Sequence, residues 1–114
     1  MSVDTGFLAF LSDLYDQSGL GPVTTRRMFG GAGIFHDGIM VGLVADDVLY
    51  LKTDASNRGR FEAADLSPFT YERAGKPAVV MSYARCPEEA FDDPDIFRDW
   101  AGQAIAAARR AKGV

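Results

Sequence analysis

A chain of 114 residues, 47% apolar and 25% charged, is the size of one domain with one compact core, and its composition excludes a disordered or fibrous protein. The formal charge of -4 and the pI near 4.8 exclude a general electrostatic attraction to nucleic acid, which draws on clustered Lys and Arg. Cys86 is the sole cysteine, so no intrachain disulfide forms, and neither a signal-peptide pattern nor an apolar run long enough to span a bilayer is present; a cytoplasmic protein with no membrane partner is expected.

In chain order, Phe7, Leu8, Leu11, Leu14 and Tyr15 recur at helical spacing, with Asp4 placed to cap the start and Gly19, Gly21 and Pro22 to end the helix. From Thr24 to Thr53 short apolar runs replace that period: Ile34-Phe35, Ile39-Met40-Val41 and Val48-Leu49-Tyr50-Leu51. They read as a three-stranded antiparallel meander turning at His36-Asp37-Gly38 and at Asp46-Asp47. On the third strand Tyr50 and Lys52 share one face, and Leu49 and Leu51 the other.

Asp54 opens a short helical stretch carrying Arg58, Phe61 and Glu62, which ends before Leu66-Ser67-Pro68. Two more strands follow, Phe69-Thr70-Tyr71 and Val79 to Tyr83, joined through Ala74-Gly75-Lys76-Pro77. Asp93 and Pro94 then open the last helix as N-cap and first residue, and Ile96, Phe97, Trp100, Ala101, Ala104, Ile105 and Ala108 form its apolar stripe. Arg109, Arg110 and Lys112 fall at its C-terminal end, where the helix dipole favours positive charge. The expectation is a single α+β domain over 1–114, in the order α-β-β-β-α-β-β-α, with helices on one face of an antiparallel sheet.

Several residue groups invite a chemical role. Arg27-Met28-Phe29-Gly30-Gly31 could cradle a phosphate through glycine N–H groups, but it lacks a P-loop ending and leads into a strand, so a bulge or close-packing role is expected for the glycines. His36 is expected at an exposed hairpin tip with no orienting partner, and Cys86 as a packed or incidental thiol. The acids Glu88, Glu89, Asp92, Asp93 and Asp95 read as helix-start chemistry rather than a metal site, and no cofactor is expected. Tyr50, Lys52, Asn57 and Arg58 with Phe69, Tyr71 and Tyr83 combine rings and polar heads, as recognition surfaces and half-buried sheets both do. The candidate ligand- or partner-binding set is therefore Arg27, Gly30, Gly31, Tyr50, Lys52, Asn57 and Tyr83, with no catalytic or metal residue expected.

Arg27-Met28-Phe29-Gly30-Gly31, Tyr50-Leu51-Lys52, Pro68-Phe69-Thr70-Tyr71, Met81-Ser82-Tyr83 and the Pro87 segment, in that order and spacing, resemble the TfoX N-terminal domain. The resemblance implies a fold related to secretion-chaperone-like α+β domains. In full-length bacterial competence regulators, this module is joined to a C-terminal domain resembling helix-hairpin-helix modules. Those regulators act as transcriptional coactivators alongside a cyclic-AMP receptor protein; for this chain, read to Val114, a single-domain form without that second domain is expected. The resemblance supplies no catalytic residues, and the expected role is a non-enzymatic regulatory or protein-interaction module, with a protein partner or a homodimer through a sheet face or edge. The rival is a small-ligand-binding protein or enzyme using the Arg27, Gly30 and Gly31 region. Specific DNA binding would need the Arg26, Arg58 and Arg109 regions to converge, and is not expected without a second domain.

Overall fold

The computed structural model describes residues 4–28, 30–72, 75 and 78–114. Helix α1 spans Thr5–Gln17; the Asp4 carboxylate accepts a hydrogen bond from the Gly6 N–H at 2.9 Å, satisfying one of the free donors of the first turn. Leu11, Leu14 and Tyr15 are its buried stripe, and Gly19, at φ 80°, turns the chain out of the helix.

Six strands follow the antiparallel order β1-β2-β3-β4-β6-β5: β1 Thr24–Met28, β2 Gly31–His36, β3 Ile39–Ala45, β4 Val48–Lys52, β5 Pro68–Glu72 and β6 Ala78–Arg85. The α+β architecture and the placement of its helices are those read from the periodicity. The sheet has one strand more than the apolar runs mark. Strand β1, Thr-Thr-Arg-Arg-Met, lies at an edge with Thr24 to Arg27 exposed, so no alternation of burial signals it in the sequence.

Both predicted hairpin turns form, with Asp37, Gly38, Asp46 and Asp47 all at positive φ between 52° and 78°. The Ala74-Gly75-Lys76-Pro77 connection lies, Gly75 apart, outside the described residues. Between β2 and β3 the register shifts: Ile34 faces Gly42 and Phe35 faces Met40, leaving Val41 as an extra residue on β3. Gly31 shows why a side chain is excluded there, since a Cβ would lie 2.0 Å from the Val44 carbonyl oxygen.

Helix α2 covers Arg58–Ala63, a 3₁₀ helix Glu88–Asp92, and helix α3 Pro94–Lys112. The Asp93 carboxylate accepts from the N–H groups of Asp95 and Ile96, and Gly113 closes α3 at φ 82°. α3 lies across β3 and β4 and against α1. All three helices feed one core, in which Leu11, Leu14, Tyr15, Phe61, Phe97 and Trp100 meet Ala32, Ile34, Val44, Leu49, Leu51 and Ala84 of the sheet. Phe97 packs edge-on to Tyr15 at 4.9 Å, and Trp100 to Phe61 at 5.0 Å. Two ion pairs fasten the helices: Arg60, which also lies over the Trp100 ring, pairs with Asp99, and Arg110 donates to both carboxylate oxygens of Asp54.

Candidate functional site

Because strand side chains alternate, the face opposite the core follows from the register. Leu49 and Leu51 point to the helices, so Tyr50 and Lys52 point away from them. Pairing across the sheet then sets Arg26, Gly33, Leu43, Tyr50 and Arg85 in one row over five strands, with Lys52 beside Tyr83 in the next.

The groups on this face touch one another. Tyr50 packs edge-on to Phe69 at 4.9 Å, and Phe69 lies stacked on Tyr71 at 6.2 Å. The Lys52 ammonium sits 5.2 Å from the centroid of the Tyr83 ring, and the Arg26 guanidinium 4.6 Å from that of Phe35. Gly33 has no room for a Cβ, which would meet Met28 and Phe35 at 2.9 and 3.0 Å; those two side chains close over it. Leu43 and Tyr83 are buried, yet neither belongs to the helix-covered core cluster, so this side of the sheet has a thin apolar layer of its own. Burial pushes the Tyr83 phenol above its ordinary value, which keeps the ring neutral beside Lys52.

The sequence-derived candidates divide into three groups. Tyr50, Lys52 and Tyr83 come together on this face. Arg27 does not join them: it pairs with Ala32 and therefore looks to the helix side, and β1 is separated from β4 by two strands. Gly30 and Gly31 lie at the β1-β2 turn, where the space a Gly31 side chain would need is filled by the backbone of Val44. Asn57 is buried and its amide serves the main chain, the Oδ1 accepting from Asp54 N–H at 2.8 Å and the Nδ2 donating to the Lys52 carbonyl at 3.1 Å. It shapes the bend after β4 and so fixes where Lys52 stands. Arg58 borders a cleft that shares Tyr83 with this face and is otherwise lined by Phe61, Leu66 and Pro68 among others.

His36 corrects the expectation of an exposed, unpartnered turn residue. It ends β2, its side chain is 18% exposed, and Nε2 lies 2.9 Å from the Leu20 carbonyl oxygen. The β2-β3 turn folds against the end of α1, a tertiary contact that no local pattern encodes. Cys86 is buried as expected, and desolvation, helped by the nearby Glu89, pushes its thiol up to about 12. The sequence does not mark Arg26, Phe35 and Leu43 as members of the face: Arg26 lies on an exposed strand without alternation, and Phe35 and Leu43 lie on either side of the register shift at Val41.

The model of the TfoX N-terminal domain matches residues 16–108. The chain belongs to the TfoX N-terminal domain family. A search of curated proteins finds no match. In this TfoX N-terminal domain, the Tyr50-Leu51-Lys52, Pro68 to Tyr71 and Met81-Ser82-Tyr83 blocks fall on β4, β5 and β6, three neighbouring strands. Among the described residues, no helix is long and apolar enough to cross a membrane, and no three His, Cys, Asp or Glu side chains are grouped as a metal ion would require.

Proposed function

We propose that this domain is a non-enzymatic, competence-regulator-like interaction module of the cytoplasm, and that it binds a protein partner through the uncovered face of its sheet. One observation carries the reading: the helices bury their core on one side, while Tyr50, Phe69, Tyr71 and Phe35 stand half-buried on the other, edged by Arg26 and by Lys52, where the last turn of α3 closes one end of the face. Half-buried rings beside cationic heads offer large contact area at low entropic cost, which is how hot spots at interfaces are built. A second copy docking the same face would set the cations of both copies around one shared apolar centre, so a partner with acidic groups around such a centre fits better. The two residues best suited to catalysis are committed elsewhere, His36 to the Leu20 carbonyl and Cys86 to the interior as a neutral thiol.

The test is quantitative capture from native cytoplasm with three baits: the wild type, a Tyr50→Asp/Phe69→Asp variant, and an Arg98→Glu control on the exposed side of α3. The same protein should be recovered by wild type and control and lost with the sheet-face variant, whose fold is checked by circular dichroism. Equal recovery by all three, or no specific protein with any, would contradict the proposal.

A further inference from the structure

Strand β1 is an outer strand of the sheet, so one row of its backbone N–H and C=O groups has no neighbouring strand to pair with. Thr24 to Arg27 are exposed, and neither Arg26 nor Arg27 has a carboxylate partner among the described residues, in a chain whose net charge is -4. The two arginines point to opposite sides of the sheet. Arg27, on the helix side, borders an open groove of about 590 Å³ between α1 and β1, with Leu8, Ala9 and Val23 as its apolar lining and Ser12 and Thr25 as polar points.

We propose that β1 accepts an extended acidic segment of a partner protein as a seventh strand. This rests on the reading of the domain as an interaction module, but uses a different surface from the aromatic face. The strand would supply main-chain hydrogen bonds; its side chains on the helix side would enter the groove, where an apolar residue meets Leu8 and Val23 and a carboxylate meets Arg27. On the other side a carboxylate would meet Arg26.

Charged residues on an edge strand also guard against unwanted pairing, and here the guard selects. A second copy adding antiparallel with Arg26 at the centre would place Arg26 opposite Arg26, a destabilising pair, whereas an acidic strand turns the same residues into attractions. The groove beside β1 gives that strand somewhere to bury a side chain, which a merely guarded edge would not provide.

The experiment uses the full chain and two labelled twelve-residue peptides of the repeat Val-Glu-Glu-Thr, which sets Val and Glu in turn along one face and Glu and Thr along the other, or, for comparison, the same repeat with Lys in place of Glu. The Glu peptide should bind and the Lys peptide should not. Affinity should fall with added salt and drop about tenfold on Arg27→Glu, an exposed substitution whose melting temperature is checked against wild type. Amide hydrogen exchange should slow within Thr24–Met28 on binding. Binding of the Lys peptide with equal affinity, no binding of the Glu peptide, or protection that maps away from β1 would overturn the proposal. The sheet-face reading is tested separately, because Tyr50→Asp/Phe69→Asp should leave Glu-peptide binding intact while abolishing partner capture.

Discussion

Two buried residues behave in ways their types do not announce. Tyr15 is fully buried, its hydroxyl has no hydrogen-bond partner among the described residues, and burial holds its proton well above the ordinary range. Removing an unsatisfied buried hydroxyl relieves a desolvation cost, so Tyr15→Phe should leave stability unchanged or raise it by about 1 kcal/mol in urea denaturation; a loss of more than about 1 kcal/mol would show that the hydroxyl is bonded. Cys86 should resist alkylation at pH 8 in the native state and react fully in denaturant, since its thiol is pushed up to about 12. The sign of its linkage follows. The unfolded chain begins to release this proton near its ordinary value of 9.0 while the folded chain retains it, so stability falls as pH rises from there towards 12. Cys86→Ala should flatten that part of a stability-against-pH curve, and an unchanged slope would assign it to other groups.

Among the elements, α3 was the most legible, because its cap, its first proline, its apolar stripe and its terminal basic residues all sit within the helix itself. Trp100 on that stripe is 8% exposed and packs on Phe61, so Trp100→Ala should cost about 3 to 5 kcal/mol by chemical denaturation. A loss below about 1 kcal/mol, as at exposed sites, would remove it from the core. β4 was equally readable by alternation, which gave the shared face of Tyr50 and Lys52. β1 was hidden, since an edge strand with Thr24 to Arg27 exposed owes its existence to pairing with β2 rather than to any burial of its own. The site was legible in the same measure. Tyr50, Lys52 and Tyr83 could be found because alternation is local, whereas the Asn57 amide bonds, the His36 contact with Leu20 and the shift at Val41 depend on backbone brought near only by folding.

For the whole molecule, the distribution of charge matters more than its sum. Of the basic residues that would have to converge on DNA, Arg60 is held by Asp99 and Trp100 and Arg110 by Asp54, which reduces the field available to a phosphate backbone. Titration of random and promoter-derived duplexes at about 150 mM salt should therefore show at most weak, sequence-independent binding, in the range of roughly 10⁻⁴ to 10⁻⁶ M. A nanomolar, sequence-preferring complex weakened by changes at Arg26, Arg27, Arg58 or Arg60 would make DNA recognition the leading function. What remains is a sheet with its helices on one side, open there at the groove beside β1, and with rings and cations on the other. The central claim is that this second side is where a partner sits, and its most direct test is a backbone amide shift map of the labelled domain with and without its captured partner. Changes should concentrate on Tyr50 to Lys52, Phe69 to Tyr71 and Ser82 to Arg85, with α3 silent before its last turn at Ala108 to Lys112; changes concentrated on the exposed side of α3 around Arg98, with those strands silent, would contradict it.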